Sequence, residues 1–349
     1  PAKPQKASSI AAHSCAHRSE MARSLLLWCL ASVRALQQSR RAQSRCAPRM
    51  AVPSGGKVLA VGNGPVFLLA AKTAARAGYE TTIVSARVDL FEKLLWTAGD
   101  AEGNGREEPD ANLKVLSVSD DADVDAFDAA VAGADALVIA FDAEQTLTDA
   151  LLDVVLPESG GAGRVALLSK HLSGKGYGPL SAASKAAANK EVWACTRDRV
   201  AMYRDFEAKL RTKCAARGAE LTIVRCGTLK GGGPGAADDR VEGVPTLSER
   251  LYDDLNKDLV NWQLLFDCDT KGAKLTKGDT AEGPGFRAVF TSTASDAQPG
   301  DSGRVQVCQA LVRSLGRADC AGAEFGVTTA KAEGHLTDAE WDAQFAGVV

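Results

Sequence analysis

Lys57 to Ser85 reads KVLAVGNGPVFLLAAKTAARAGYETTIVS, and this stretch decides the fold. Lys57–Val61 is a short apolar run of the kind that forms a buried strand. Gly62-Asn63-Gly64-Pro65 follows as a turn that opens a helix, because proline suits the first helical turn, where its missing N–H costs nothing. Val66–Ala77 is apolar and alanine-rich, and Gly78 is placed to cap it. Thr81–Ser85 is a second, β-branched strand. Strand, turn, helix and strand fit within about 30 residues, the size of one parallel crossover unit.

The same alternation runs outward from this unit. Leu113–Val118, Ala136–Phe141, Arg164–Ser169 and Leu221–Arg225 read as further strands. Asp123–Ala132, Thr146–Leu156 and a long stretch, Ser181–Arg217, read as the helices between them, the last with a break expected near Thr196–Arg199. Gly99–Pro109 is rich in glycine and acids and reads as an exposed loop. Strands alternating with helices predict an α/β fold, a doubly wound parallel sheet with helices on both faces. After Gly231-Gly232-Gly233-Pro234-Gly235 the pattern loosens. Thr246–Leu265 and Arg304–Leu315 read as helices, and Phe286–Thr291 and Glu324–Thr328 as strands. The expected organisation is a nucleotide-binding domain over 51–235 and a smaller C-terminal portion over 236–349, packed on the same sheet.

The first 50 residues do not belong to that fold. Of the 349 residues, the first 56 carry nine Lys/Arg and one acid, Glu20, a charge of +8 that leaves −11 on the remainder of a chain whose net charge is −3. Met21 reads as an initiator. A basic start at Arg23 precedes the apolar run Leu25–Val33, which has the pattern of a signal peptide and is too short to span a bilayer. Leu36–Met50 is rich in Arg, Gln and Ser and free of acids, the composition of a transit peptide. The two in series resemble the bipartite presequence of plastids acquired by secondary endosymbiosis, so the expected address is the plastid, at the soluble stroma or the thylakoid surface. A mitochondrial or secretory leader, or a disordered basic tail, is the alternative.

The overall acidity excludes a nucleic-acid footprint. Nine cysteines without a C-x-x-C pair read as reduced, mostly buried thiols, and the two histidines beyond the leader, His171 and His335, give no metal-ligand spacing. No transmembrane segment is expected, though association with a membrane surface stays open. Gly300-Asp301-Ser302-Gly303 and Ala11-Ala12-His13-Ser14-Cys15 look like trypsin-type protease motifs. They fail as a pair, because His13 lies in the leader and the body alternates strands with helices.

The turn carries the chemistry. Gly62, Asn63, Gly64, Pro65 and Val66 lie where a dinucleotide pyrophosphate would meet the unpaired N–H groups and positive dipole end of a helix. Phe67 stands where a third glycine would normally let the helix pack close to the strand, so it must tilt the helix or point elsewhere. The alternative is a turn of this shape that binds nothing. The second strand ends at Ser85, with Arg87 beyond it, rather than in an acid. A hydroxyl and a guanidinium suit a 2′-phosphate, which favours NADP over NAD. The alternative for Arg87 is a solvated surface charge.

With Gly62-x-Gly64, Ala136–Phe141, Arg164–Ser169 and Leu221-Thr-Ile-Val-Arg-Cys-Gly-Thr-Leu229 in this order, residues 57–330 resemble the atypical short-chain dehydrogenase/reductase superfamily, the NmrA-like branch of Rossmann-fold NAD(P)-binding proteins. The resemblance implies cofactor contacts from Phe141, at the end of the fourth strand, and from Gly227 and Thr228 after the sixth. It implies that Ser169 polarises a substrate carbonyl. It also implies a Tyr-x-x-x-Lys pair about twelve residues on, but this chain has Ser181 and Lys185 there. Lys185 is expected to keep the ribose contact, and Tyr177, in a glycine-rich loop, is a candidate donor in place of the missing tyrosine. Lys170 and His171 also stand at this strand end. The expected function is an NADP(H)-binding reductase acting on a small organic substrate. The alternative is a non-catalytic dinucleotide-binding scaffold or accessory subunit with protein partners, for example in a photosynthetic complex.

Overall fold

The computed structural model describes residues 51–85, 87–97, 106–118, 121–142, 147–172, 197–233, 244–254, 266–268, 270–280, 297 and 300–349. The first 50 residues, Tyr177, Ser181 and Lys185 lie outside the described residues. So do the expected strand over 286–291 and parts of the helices expected over 181–217 and 246–265.

Ten strands are described: β1 (Lys57–Asn63), β2 (Glu80–Ser85), β3 (Leu113–Ser117), β4 (Ala136–Phe141), β5 (Arg164–Lys170), β6 (Glu220–Cys226), β7 (Leu229–Lys230), β8 (Gly272–Lys277), β9 (Ser302–Gly303) and β10 (Glu324–Ala330). Eight α-helices accompany them: α1 (Gly64–Arg76), α2 (Val88–Leu95), α3 (Asp121–Gly133), α4 (Asp149–Val155), α5 (Arg197–Arg217), α6 (Arg250–Asp254), α7 (Arg304–Leu315) and α8 (Asp338–Ala346). The main sheet has the order β3-β2-β1-β4-β5-β6-β10-β8. All neighbours are parallel except the edge pair β10–β8. The order reverses between β1 and β4, and in open sheets of this kind ligands bind outside the carboxyl ends of the strands at such a switch point. The sheet is therefore the doubly wound one expected.

Residue size sets how the two faces are covered. On one face β1 presents Val58 and Ala60, β4 Ala136, Val138 and Ala140, and β5 Ala166 and Leu168, all in one core with α1 and α7. On the other face Leu59, Val61, Leu137, Ile139, Phe141, Val165 and Leu167 meet Phe127 of α3, Leu152 of α4 and Phe206 and Leu210 of α5. Small residues on the first face let α1, itself rich in alanine, lie close to the sheet. Phe67 belongs to the same core. It is fully buried and meets Phe91 of α2 edge-on, with ring centroids 6.0 Å apart.

With α7 and α2 also packed against it, α1 buries every residue from Val66 to Ala75. That includes Lys72, whose ammonium donates to Leu95 O (2.6 Å), Thr246 O (2.7 Å) and Glu107 Oε2 (2.7 Å) and lies 4.8 Å from the centroid of the Trp96 ring. Burial pushes Lys72 down to about 8, because the charged form loses more hydration than these partners restore. No described helix is long and apolar enough to cross a membrane.

Candidate functional site

β1 passes into α1 without an intervening loop, so the head of α1 lies at the switch point. Gly62 pairs with Ala140 of β4, and a Cβ on Gly62 would sit 1.7 Å from Ala140 O. No side chain fits between these backbones. Gly64 is exposed and has φ +75°, a conformation that glycine takes without strain. Asn63 precedes the helix in extended conformation and makes no side-chain cap. Its backbone oxygen (3.2 Å) and Oδ1 (3.1 Å) instead both accept from the Asp142 amide. Pro65 takes the first turn, as expected.

Asp142, the residue after β4, supplies the cap that Asn63 does not. Its Oδ2 accepts from Val66 N at 2.7 Å, and a Cβ on Gly64 would meet the same oxygen at 2.7 Å. The negative carboxylate lies at the positive end of α1, where the dipole favours an anion. Beside it is Arg304, the first residue of α7, 3% exposed, with Nε 4.0 Å from Asp142 Oδ1. Arg304 Nη1 donates to Gly231 O (2.9 Å), and the guanidinium lies 4.1 Å from the centroid of the Phe266 ring. Burial pushes Arg304 below the ordinary guanidinium range, and the Asp142 charge opposes that shift. Neither residue was singled out in the sequence. The available signal was an acid immediately after an all-apolar strand at the switch point.

The other expected contacts spread around this point. Ser85 is buried, and its Oγ accepts from Arg87 N at 2.8 Å; Arg87 is exposed at the head of α2. Phe141 is fully buried and faces away from the turn, edge-on to Phe206 with centroids 6.4 Å apart. Gly227 passes so close to Gly300 that a Cβ would lie 1.8 Å from Gly300 O. Its amide donates to Ser302 Oγ (2.8 Å), and Thr228 O accepts from Ser302 N (2.8 Å). Ser302, the serine of the protease-like motif, is thus a buried structural hydroxyl. It also donates to Val327 O at 2.5 Å.

Ser169 and its neighbours divide between the two faces of the sheet. Ser169 is fully buried, and its hydroxyl donates to Glu207 Oε1 of α5 at 2.5 Å. The same carboxylate accepts from Arg225 Nη1 (2.7 Å) and Nη2 (2.8 Å). Arg225 Nε reaches Glu324 Oε1 at 2.8 Å, closing a buried network across β5, β6, β10 and α5. His171, two residues on, is also buried, with Nδ1 3.6 Å from Asp279 Oδ1. Desolvation raises Asp279, but His171, Arg225 and the Leu172 amide outweigh it and hold the carboxyl below the ordinary range. Lys170 points the opposite way, with Nζ 3.6 Å from Cys226 Sγ. The described residues contain no cluster of ligands that could hold a metal ion.

The head of α1 therefore offers a glycine turn with no side chain of its own, the Val66 amide that Asp142 caps and a nearby buried guanidinium, which fit a phosphate-bearing group once the Asp142 carboxylate yields its place. The chain matches no family model and no curated protein. Among solved structures it is similar to a Bacillus halodurans protein described as an NAD-dependent epimerase/dehydratase (16% identical, 79% of this chain and 95% of that one covered, TM-score 0.36). It is also similar to a Lactococcus lactis oxidoreductase (11% identical, 83% and 97% covered, TM-score 0.36). A third is a yeast methylglyoxal/isovaleraldehyde reductase complexed with NADPH (12% identical, 78% and 75% covered, TM-score 0.40). At 11–16% identity the likeness concerns the fold alone.

Proposed function

We propose that this chain is a plastid-addressed, NADP(H)-binding protein of the short-chain dehydrogenase/reductase kind that reduces a small organic substrate. The observation that carries the reading is the β1–α1 turn, where Gly62 and Gly64 add no side chain of their own at the head of a helix at the switch point. Arg87, exposed beyond the end of β2, supports NADP over NAD. Calorimetry with both cofactors tests this. The unmutated chain is expected to bind NADPH more tightly than NADH, and Arg87→Ala to lose about 1.5–3 kcal/mol toward NADPH alone, the value of a charge-assisted contact. Equal affinity of the unmutated chain for the two cofactors contradicts the assignment.

A second reading, a non-catalytic dinucleotide-binding subunit of a larger complex, is favoured by Ser169. Its hydroxyl is buried and committed to Glu207 rather than presented to a substrate. NADPH turnover with a panel of carbonyls, alkenes and quinones, repeated with Tyr177→Phe and Ser181→Ala, separates the two. Tyr177 as donor predicts a 10²–10⁴-fold loss for Tyr177→Phe, roughly the worth of a general acid. Binding without turnover supports the second reading.

The plastid address has its own test. The leader's +8 charge and near-absence of acids motivate cleavage before about residue 51. N-terminal sequencing of the protein from its native cell is expected to begin near Ala51. Mature material that retains residue 30 contradicts the presequence.

A further inference from the structure

We infer that Asp142 and Arg304 form an exchange site at the head of α1, in which the chain's own carboxylate holds the place of the dinucleotide pyrophosphate and must leave before the ligand binds. The inference rests on the dinucleotide reading above and concerns what controls entry to that site.

Three observations lead to it. First, the anion position is already filled: Asp142 Oδ2 takes the Val66 amide at 2.7 Å and lies against Gly64, the exposed residue through which a ligand would approach. Phosphate oxygens bound to the same amide would lie in contact with that carboxylate, and like charges in contact repel strongly away from bulk water. Second, the carboxylate serves its two positive neighbours unequally. It is 2.7 Å from the helix amide but 4.0 Å from Arg304 Nε. That Nε is buried and donates no hydrogen bond. A buried donor without an acceptor is an uncommon and costly arrangement. A diphosphate, with two anionic groups and several acceptor oxygens, is suited to reach both donors where one carboxylate reaches only one. Third, the side chain that must move is free to do so. Asp142 is 23% exposed, whereas Arg304 is held by Gly231 O and the Phe266 ring. The cation is fixed and the anion is replaceable.

The exchange explains two features together. An acid after β4 at the phosphate position is unfavourable for binding a diphosphate but keeps Arg304 from being a buried, uncompensated charge when no ligand is present. The chain thus gives up affinity for a ligand-free state in which that charge is balanced.

Calorimetric titration of the full chain and of Asp142→Asn with NADPH, and separately with inorganic pyrophosphate, tests the inference. Asparagine retains an oxygen to cap Val66 N and removes only the charge. NADPH and pyrophosphate are both expected to bind Asp142→Asn at least tenfold more tightly than the unmutated chain. Adding Arg304→Gln to Asp142→Asn is expected to reverse most of that gain, with circular dichroism confirming that each variant is folded. Equal affinity of the unmutated chain and Asp142→Asn for both ligands overturns the exchange and leaves the dinucleotide reading intact. Tighter pyrophosphate binding by Asp142→Asn, with no NADPH binding by either chain, upholds the exchange and removes the dinucleotide reading. An undiminished gain in a folded Asp142→Asn/Arg304→Gln chain overturns the role of Arg304.

Discussion

Glu207→Ala is expected to destabilise the protein by about 3–5 kcal/mol, the cost of breaking a buried ion pair from one side. Glu207 is 2% exposed and Arg225 4%, and the carboxylate takes both terminal nitrogens of the guanidinium as well as the Ser169 hydroxyl. Without it Arg225 keeps the Lys170 carbonyl and Glu324, the latter half-exposed and already shared with Arg211. Three hydrogen bonds in the core are lost and a charge is left partly uncompensated. Replacing both partners, as in Glu207→Met with Arg225→Met, is expected to recover most of the loss, because no buried charge then remains. Urea denaturation of the single and double variants is the measurement. A single variant within 1 kcal/mol of the unmutated chain, by that order-of-magnitude scale, would show that the network is not stabilising as placed.

The buried thiols predict a second effect, a loss of stability in mild alkali. Burial pushes Cys214 up to about 12 and Cys320 up to about 11, raises Cys226 and holds Cys308 well above the ordinary thiol value of 9.0. Above pH 9 the unfolded chain ionises these groups, while the folded chain keeps Cys214 and Cys320 protonated to higher pH, and the shifts of Cys226 and Cys308 have the same direction. The folded state then binds more protons, and its stability falls as pH rises. At pH 10 Cys214 and Cys320 each contribute a loss of about 1.4 kcal/mol, about 3 kcal/mol together, and Cys226 and Cys308 act in the same sense. Lys72 acts in the opposite sense. Its value falls from 10.5 to about 8, so between those limits the unfolded chain holds a proton that the folded one has shed. That contribution rises with pH and offsets about 2.5 kcal/mol by pH 10. Stability is therefore expected to fall between about pH 9 and 10.5, more shallowly in Cys214→Ala and more steeply in Lys72→Met, as read by urea denaturation at each pH. Stability that stays level from pH 9 to 10.5 contradicts the placement of the thiols.

Much of the fold was legible because its signals are local. Ala136–Phe141 and Arg304–Leu315 fall where the sequence places them, since a continuous apolar run and a helix-period pattern each declare themselves within one element. β8 was not legible. GAKLTK looks like loop, because an antiparallel edge strand tolerates lysines and needs a hydrophobic face on one side only. α8 went unread although Thr337 and Glu340 form a capping box, a signal printed plainly in the sequence. Of the candidate site, the glycine turn was legible from its position between a strand and a helix.

The sequence by itself determined the alternation of strands and helices, the glycine turn between β1 and α1 and the contrast between a basic first 56 residues and an acidic remainder. Each depends on neighbours within a few residues. Only the tertiary structure decided that Asp142, 76 residues from Val66 along the chain, caps α1, that Arg304 stands beside it, and that the Ser169 hydroxyl belongs to Glu207. An acid, an arginine or a serine carries no mark in sequence of which charge it will meet. Strand order and side-chain direction make that choice, and they exist only once the sheet has closed.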